Sequence, residues 1–226
     1  MKIEVYNLIE GAKQARGLTV IIDVFRAFSL EPYLFDAGAK EIIPVGQLEE
    51  AYSLKKLNPD YVLIGERKGK KCEGFDFGNS PSNISREIIE GKTIVHTTSA
   101  GTQGIANAIH ADEIITGSLV NAKAIAKYIK EKNPEVVSLV CMGNLGIRSA
   151  AEDELCAAYI KSLLEDKPME DIDERIKELQ FHGGEHFFNP DTQEIFPQED
   201  FWLCIKRDIF DFVLRVEGNH IVKVEQ

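Results

Sequence analysis

Short apolar runs rich in β-branched residues recur along the chain, at Thr19–Val24, Glu41–Val45, Tyr61–Gly65, Thr93–Thr97, Glu113–Thr116 and Val136–Met142. Several are almost continuously hydrophobic, the pattern of strands whose two faces are both covered. Amphipathic segments separate them and predict helices at Leu30–Ala37, Leu48–Leu57, Pro81–Glu90, Gly101–Ile109, Ala122–Lys132 and Ser149–Leu164. Strand and helix alternating at this spacing imply βαβ units. The expected fold is therefore α/β: a three-layer α/β/α arrangement around a largely parallel sheet. In "NPEVV" and "LNPDYV" a proline after asparagine marks the turn from helix into strand.

The pattern changes toward the C-terminus. "DIDERIKEL" reads as a charged surface helix, and "FHGGEHFFNPDTQEIFPQEDFW" is loop-rich and aromatic. "FVLRVEGNHIVKVEQ" reads as two strands around a Glu-Gly-Asn-His turn. No low-complexity linker or internal repeat interrupts the chain, so residues 1–226 are expected to form a single domain. The segment Phe181 to Trp202 is expected either to cover a pocket or to bury an interface.

Charge narrows the choice of partner. The chain has 26 Lys and Arg against 37 Asp and Glu, a formal net charge of −11. Such a surface argues against nucleic acid or an anionic membrane as the main partner. A small anion requires a pocket that is basic against the global field. No apolar run approaches the roughly 20 residues that span a bilayer. "MKIEVYNLIEGAK" lacks the apolar centre of a signal peptide. Cys72, Cys141, Cys156 and Cys204 are scattered, without a CxxC pair, and read as free thiols. These features together predict a cytoplasmic location.

In open α/β sheets, ligands bind beyond the carboxyl ends of the strands. The segments just after the predicted strands gather polar residues on one rim. Asp23, Arg26 and Ser29 follow the first run, Glu66 and Arg67 the third, and Thr98, Ser99, Gly101 and Thr102 the fourth. Asn121 follows the fifth, and a Gly-Asn turn leading to Glu152 and Asp153 follows the sixth. The loop "GFDFGNSPSNI" adds Asp76 between two phenylalanines, then Asn79 and Ser80.

Each group has a functional and a plain reading. "HTTSAGTQG" is a strand, a small-residue turn and a helix start, able to hold an anion with free amides and hydroxyls, or simply a capped helix. It is no Walker loop, because the Gly-Lys-Ser/Thr ending is missing. Asp23 at a strand end can ligate Mg²⁺ or attack phosphorus, and Arg26 can grip an oxyanion, unless the two form a structural ion pair. Phe25 stands where a haloacid-dehalogenase phosphatase would carry its second Asp, and no Cys-x5-Arg loop is present. In the basic cluster Arg67, Lys68, Lys70, Lys71, the strand-end position favours Arg67 as the anion contact over lysines that read as a solvated loop. Mg²⁺ needs only one or two carboxylates, and Asp23, Glu66, Asp76 and Asp153 are the candidates, with Glu152 an alternative to Asp153. In the loop, Ser80 and Pro81 read as a helix cap and first turn. His182 and His186 lack a third partner for a zinc site.

Taken in order, "IDVFRAFS", "AGAKEIIPVG", "GERKG", "GFDFGNSPS", "HTTSAGT", "GSLVNAKA" and Gly146 to Asp153 resemble the 2-phosphosulfolactate phosphatases of the ComB family. The resemblance spans roughly Thr19 to Leu164. It implies a cytoplasmic α/β/α phosphatase that uses Mg²⁺ to hydrolyse 2-phospho-3-sulfolactate, an intermediate in coenzyme M biosynthesis, and leaves a homo-oligomer open. On this reading Asp23, Arg26 and Arg67 are catalytic. Ser29, Asn79, Ser80, Thr98, Ser99, Gly101, Thr102 and Asn121 contact a small anionic phosphorylated substrate. Asp23, Glu66, Asp76 and Asp153 face the metal, and the Asp76 loop, hinged at Gly78, forms one wall of the anion site. The chain departs from the family pattern at Ala100, Phe28 and Leu30, where an amide and two hydroxyls are usual. A non-catalytic binder of a phosphorylated or sulfonated metabolite is the alternative, since one fold hosts both.

Overall fold

A computed structural model describes residues Met1 to Glu225. Ten strands form one sheet: β1 (Lys2–Asn7), β2 (Gly17–Ile22), β3 (Glu41–Pro44), β4 (Val62–Arg67), β5 (Lys70–Lys71), β6 (Thr93–Thr97), β7 (Ala111–Gly117), β8 (Val136–Cys141), β9 (Phe212–Glu217) and β10 (His220–Glu225). Their spatial order is β1-β8-β2-β7-β9-β10-β3-β6-β4-β5. β1, β8, β2 and β7 are mutually parallel, as are β3, β6 and β4. The β9–β10 hairpin joins these two halves through antiparallel pairings. The C-terminal strands expected as a hairpin thus lie in the middle of the sheet.

The helices are α1 (Leu8–Ala12), α2 (Ala27–Asp36), α3 (Leu48–Leu57), α4 (Arg86–Ile89), α5 (Gly101–Asn107), α6 (Ala122–Lys132), α7 (Ala151–Leu164), α8 (Ile172–Glu178) and α9 (Gln198–Cys204). They cover both faces, because successive strand residues point to opposite sides. Val20 and Ile22 of β2 pack with Ile125 of α6 and Cys156 of α7, whereas Ile21 packs with Ala12 and Phe28. In β4, Ile64 packs with Leu30 and Leu34 of α2, and Leu63 packs with Ala51 of α3. The expected three-layer α/β/α fold is the observed one.

Several boundaries differ from the apolar pattern. The run Thr19–Val24 pairs only to Ile22, which leaves Asp23 as the first residue beyond the strand. The helix expected at Pro81–Glu90 is a 3₁₀ turn, Pro81–Asn83, an extended Ile84, and the single turn α4. Ser80 does not cap it, since its hydroxyl donates to Asp200 instead. β1 escapes the pattern, because its exposed and half-buried residues give too weak an apolar signal. No helix among the described residues is long and apolar enough to cross a membrane.

One crossing positions the site. α5 follows β6 in one half of the sheet, yet packs on β2 and β8 in the other. A Cβ added to Gly104 would lie 2.6 Å from Ile21 and 2.5 Å from Met142, so only glycine permits the approach. That contact draws the strand ends of the two halves together.

Candidate active site

Where these ends meet is a cavity of about 690 Å³. Of the residues singled out from sequence, Asp23, Arg26, Glu66, Asn79, Thr98, Ser99 and Asp153 line it. They come from the ends of β2, β4 and β6, from the first turn of α7 and from the loop before α4, as expected at the carboxyl edge of a sheet.

The carboxylates are crowded and unequal. Asp153 Oδ1 accepts the Val24 amide at 2.8 Å and Oδ2 accepts the Gly143 amide at 2.7 Å, so it ties the end of β2 to the end of β8. Glu66 does the same for the turn after β6: it accepts the Ser99 amide at 2.7 Å and hydroxyl at 3.1 Å, and the Gly69 amide at 2.6 Å. Asp23 lies beside Gly101, where an added Cβ would stand 3.0 Å from Oδ2 and 2.9 Å from Phe28. Gly101 is therefore a spacer that lets the Asp23 carboxylate reach the start of α5. Glu152 alone offers a buried carboxylate oxygen, Oε2, with no hydrogen-bond partner among the described residues.

This crowding raises their affinity for protons. Burial drives the Asp23 carboxyl well above its ordinary value, and the charges of Asp153 and Glu66 push the same way. Glu152 is pushed up to about 7, chiefly by burial and also by Asp23 and Glu185. Asp153 is pushed up to about 8: burial, with Glu152 adding, outweighs its two amide bonds.

The cations divide differently from the sequence reading. Arg26 faces the cavity, but its guanidinium is committed to the protein. Nη1 donates to Asp200 at 2.8 Å and to the Ile195 carbonyl at 3.0 Å, and Nη2 to the Gly69 carbonyl at 3.2 Å. The Phe196 ring lies 4.9 Å from it. Arg67 is turned away from the cavity and donates to the carbonyls of Glu66 and Gly46 and to the Thr97 hydroxyl. Lys68 takes the place expected for Arg67: it lines the cavity and, among the described residues, has no ion pair. Its left-handed backbone, φ 55°, turns the chain between β4 and β5.

Other candidates are not brought to this cavity. Asp76 accepts the Leu63 amide at 2.8 Å and lies 3.6 Å from Lys55, beside a smaller neighbouring cavity that Ser80 also lines. Ser29 donates to the Val24 carbonyl, Thr102 pairs back onto Thr98, and Asn121 caps the turn at Ser118. These hydroxyls and amides close local turns, the ordinary use of such residues at element ends. Of the three departures from the family pattern, Phe28 and Leu30 are core residues, and only Ala100 lines the cavity.

The aromatic segment supplies one wall. His186 and Phe196 line the cavity, while Phe187 and Phe201 are buried behind them. His186 packs against Phe187 and Phe196, and burial, with the charge of Arg26, lowers its pKa and favours the neutral ring. The sequence offers His186 only as half of an incomplete zinc pair, because its partners across the cavity are distant along the chain. For Glu152 and Asp153 the signal is visible in the sequence but not resolved. Adjacent helical residues point about 100° apart, so only one of the pair can aim at the cavity centre.

The model of the 2-phosphosulpholactate phosphatase family matches residues 3–219. A "probable 2-phosphosulfolactate phosphatase" of Bacillus subtilis is 32% identical over 97% of this chain and 95% of its own length. Proteins of the same description from Clostridium perfringens strain SM101 and Caldicellulosiruptor saccharolyticus are 34% and 36% identical. The first alignment covers 100% of this chain and 97% of the relative, the second 91% of each.

Proposed function

The chain belongs to the 2-phosphosulfolactate phosphatase family, and from that premise we propose that it is a Mg²⁺-dependent phosphatase. It hydrolyses a phosphate monoester of a small hydroxy acid, with 2-phospho-3-sulfolactate as substrate and 3-sulfolactate and phosphate as products. The observation that carries this reading is the unpartnered Oε2 of Glu152, buried in the same cavity as Asp23, Glu66 and Asp153. A buried acceptor without a donor, among carboxyls that raise one another's pKa, suits a cation.

The donor set fits a hard divalent ion. Among the described residues no cage of three or more His, Cys, Asp or Glu side chains is assembled. Mg²⁺ does not require one, since it retains waters and takes further oxygens from a substrate phosphate. Asp23 and Glu152 are the residues that would hold it, with Glu66 and Asp153, fixed by backbone amides, keeping the loops in place around them. Bound there, Mg²⁺ supplies charge neutralisation at the phosphoryl oxygens and a site for water.

The remaining work belongs to the side chains. The Lys68 ammonium is the available cation for a phosphoryl oxygen, because Arg26 is paired with Asp200. The Thr98 hydroxyl and the Asn79 amide add donors along the wall. Arg26 acts indirectly: by gripping the carbonyls of Gly69 and Ile195 it holds the Lys68 turn against the aromatic wall. Neutral His186 is an acceptor for a proton of an attacking water. Phe25 and Phe196 exclude bulk water from the same space. Four buried free thiols suit a reducing, cytoplasmic setting. The test is phosphate release from 2-phospho-3-sulfolactate, dependent on Mg²⁺ and reduced in the Lys68→Ala and Glu152→Gln variants.

A further inference from the structure

Behind the Asn79 wall of the cavity runs a chain of buried polar groups. Thr116 of β7 donates its hydroxyl to Glu31 Oε2 at 3.0 Å. Glu31 Oε1, from α2, lies 3.0 Å from His96 Nδ1 on β6. His96 Nε2 lies 3.1 Å from Asn79 Oδ1. Glu31 and His96 are fully buried, and Asn79 is 4% exposed at the cavity surface.

The placement of hydrogens fixes a direction. Nε2 faces Oδ1 of Asn79, an acceptor, and donates its hydrogen there, while Nδ1 faces Glu31. A ring that only filled the core would need neither partner. With Oδ1 of Asn79 occupied by the ring, Nδ2 must face the other way. Nδ2 has no partner among the described residues, and the side chain it belongs to lines the cavity.

We infer that His96 is a positioning residue: it holds Oδ1 of Asn79, and so aims the Asn79 amide N–H groups into the cavity, where they donate to an oxyanion of the substrate. The inference rests on the phosphomonoester reading of the cavity. Glu31 and Thr116 act one step further back, by holding the ring.

The test uses the full chain with 2-phospho-3-sulfolactate and Mg²⁺, measuring KM and kcat together with calorimetric affinity. N79D keeps an oxygen for the ring but removes the donors. Glutamine at position 96 can offer an N–H where Nε2 stands, while asparagine reaches only the Nδ1 position. H96N should raise KM and weaken binding about tenfold, the loss of one hydrogen bond to a charged group, and N79D, which also sets a carboxylate against the anion, by at least as much. The kcat should change much less, and H96Q should stay within about threefold of wild type. Wild-type KM in N79D, or equal effects of H96N and H96Q, would overturn the inference. If H96N does not fold, N79D, which leaves the Glu31–His96 pair in place, decides the matter. If the wild type binds the ester but releases no phosphate, the enzymatic reading fails, and the calorimetric ranking still judges His96. No binding by the wild type overturns both.

Discussion

Arg26 Nη1 lies 2.8 Å from Asp200 Oδ2, with the two side chains only 4% and 0% exposed. The other oxygen of Asp200 accepts from the hydroxyls of Ser80 and Ser82 and from the Ser82 amide. One carboxylate from α9 thus joins the loop after β2, the Pro81 turn and the aromatic wall.

Asp200→Ala should therefore destabilise strongly. Removing one member of a buried pair leaves a buried charge uncompensated, a loss of about 3–5 kcal/mol. Urea denaturation measures it; a midpoint equal to wild type would show that the pair does not hold the wall.

Glu152 and Asp153 should separate activity from stability. Asp153→Asn turns an NH₂ group toward one of two backbone amides and should lower stability by about 1–3 kcal/mol. Glu152→Gln keeps an oxygen for the one partner of the side chain, its own backbone amide, and should leave stability nearly unchanged. It should reduce kcat at least about 100-fold, since even indirect partners of a metal are worth 10–100-fold. Reversed roles in paired denaturation and kinetic measurements would contradict the assignment.

Stability should fall as pH rises. The Glu152 and Asp153 carboxyls are raised to about 7 and about 8, from ordinary values of 4.5 and 3.8. The folded state thus binds protons more tightly than the unfolded chain. That contribution is fully present below the ordinary values and is lost as pH climbs through the raised ones. Without metal, Tm should drop between about pH 5 and about pH 8.5. Mg²⁺ should restore it most at the alkaline end, where the carboxylates are ionised. A Tm that rises over this range, with no Mg²⁺ effect, would contradict the carboxylate cluster as a cation site.

Gly101→Ala probes the spacer. Its Cβ would press on Phe28 at 2.9 Å and on the Asp23 carboxylate at 3.0 Å, so one of them must move. Overpacking should destabilise by about 1–3 kcal/mol, and displacement of Asp23 should lower kcat/KM about 100-fold. Wild-type kcat/KM would show that the position of Asp23 is not critical.

The sequence reveals the layers more fully than the site. Alternating apolar runs locate β2, β6 and β8 to within two residues, because strands buried on both faces leave a continuous signature. Strand ends then point to Asp23, Glu66, Thr98 and Ser99, and all four line the cavity. What local sequence does not carry is the direction of a side chain once distant segments meet. Arg26 looks like an anion grip until Asp200, 174 residues later, takes its guanidinium. Asp76 looks like a ligand between two phenylalanines until the Leu63 amide claims it. His96 lies in an apolar strand, and only the fold sets Glu31 and Asn79 on either side of its ring.

The most direct measurement is phosphate release from a panel of phosphorylated hydroxy acids, including 2-phospho-3-sulfolactate and phospholactate. Each is assayed with Mg²⁺, with EDTA, and with Mg²⁺ restored. A Mg²⁺-dependent phosphatase releases phosphate from 2-phospho-3-sulfolactate in the first and third conditions and not in the second. No Mg²⁺-dependent release from any member of the panel would contradict phosphatase activity and leave a protein that binds such anions without turning them over.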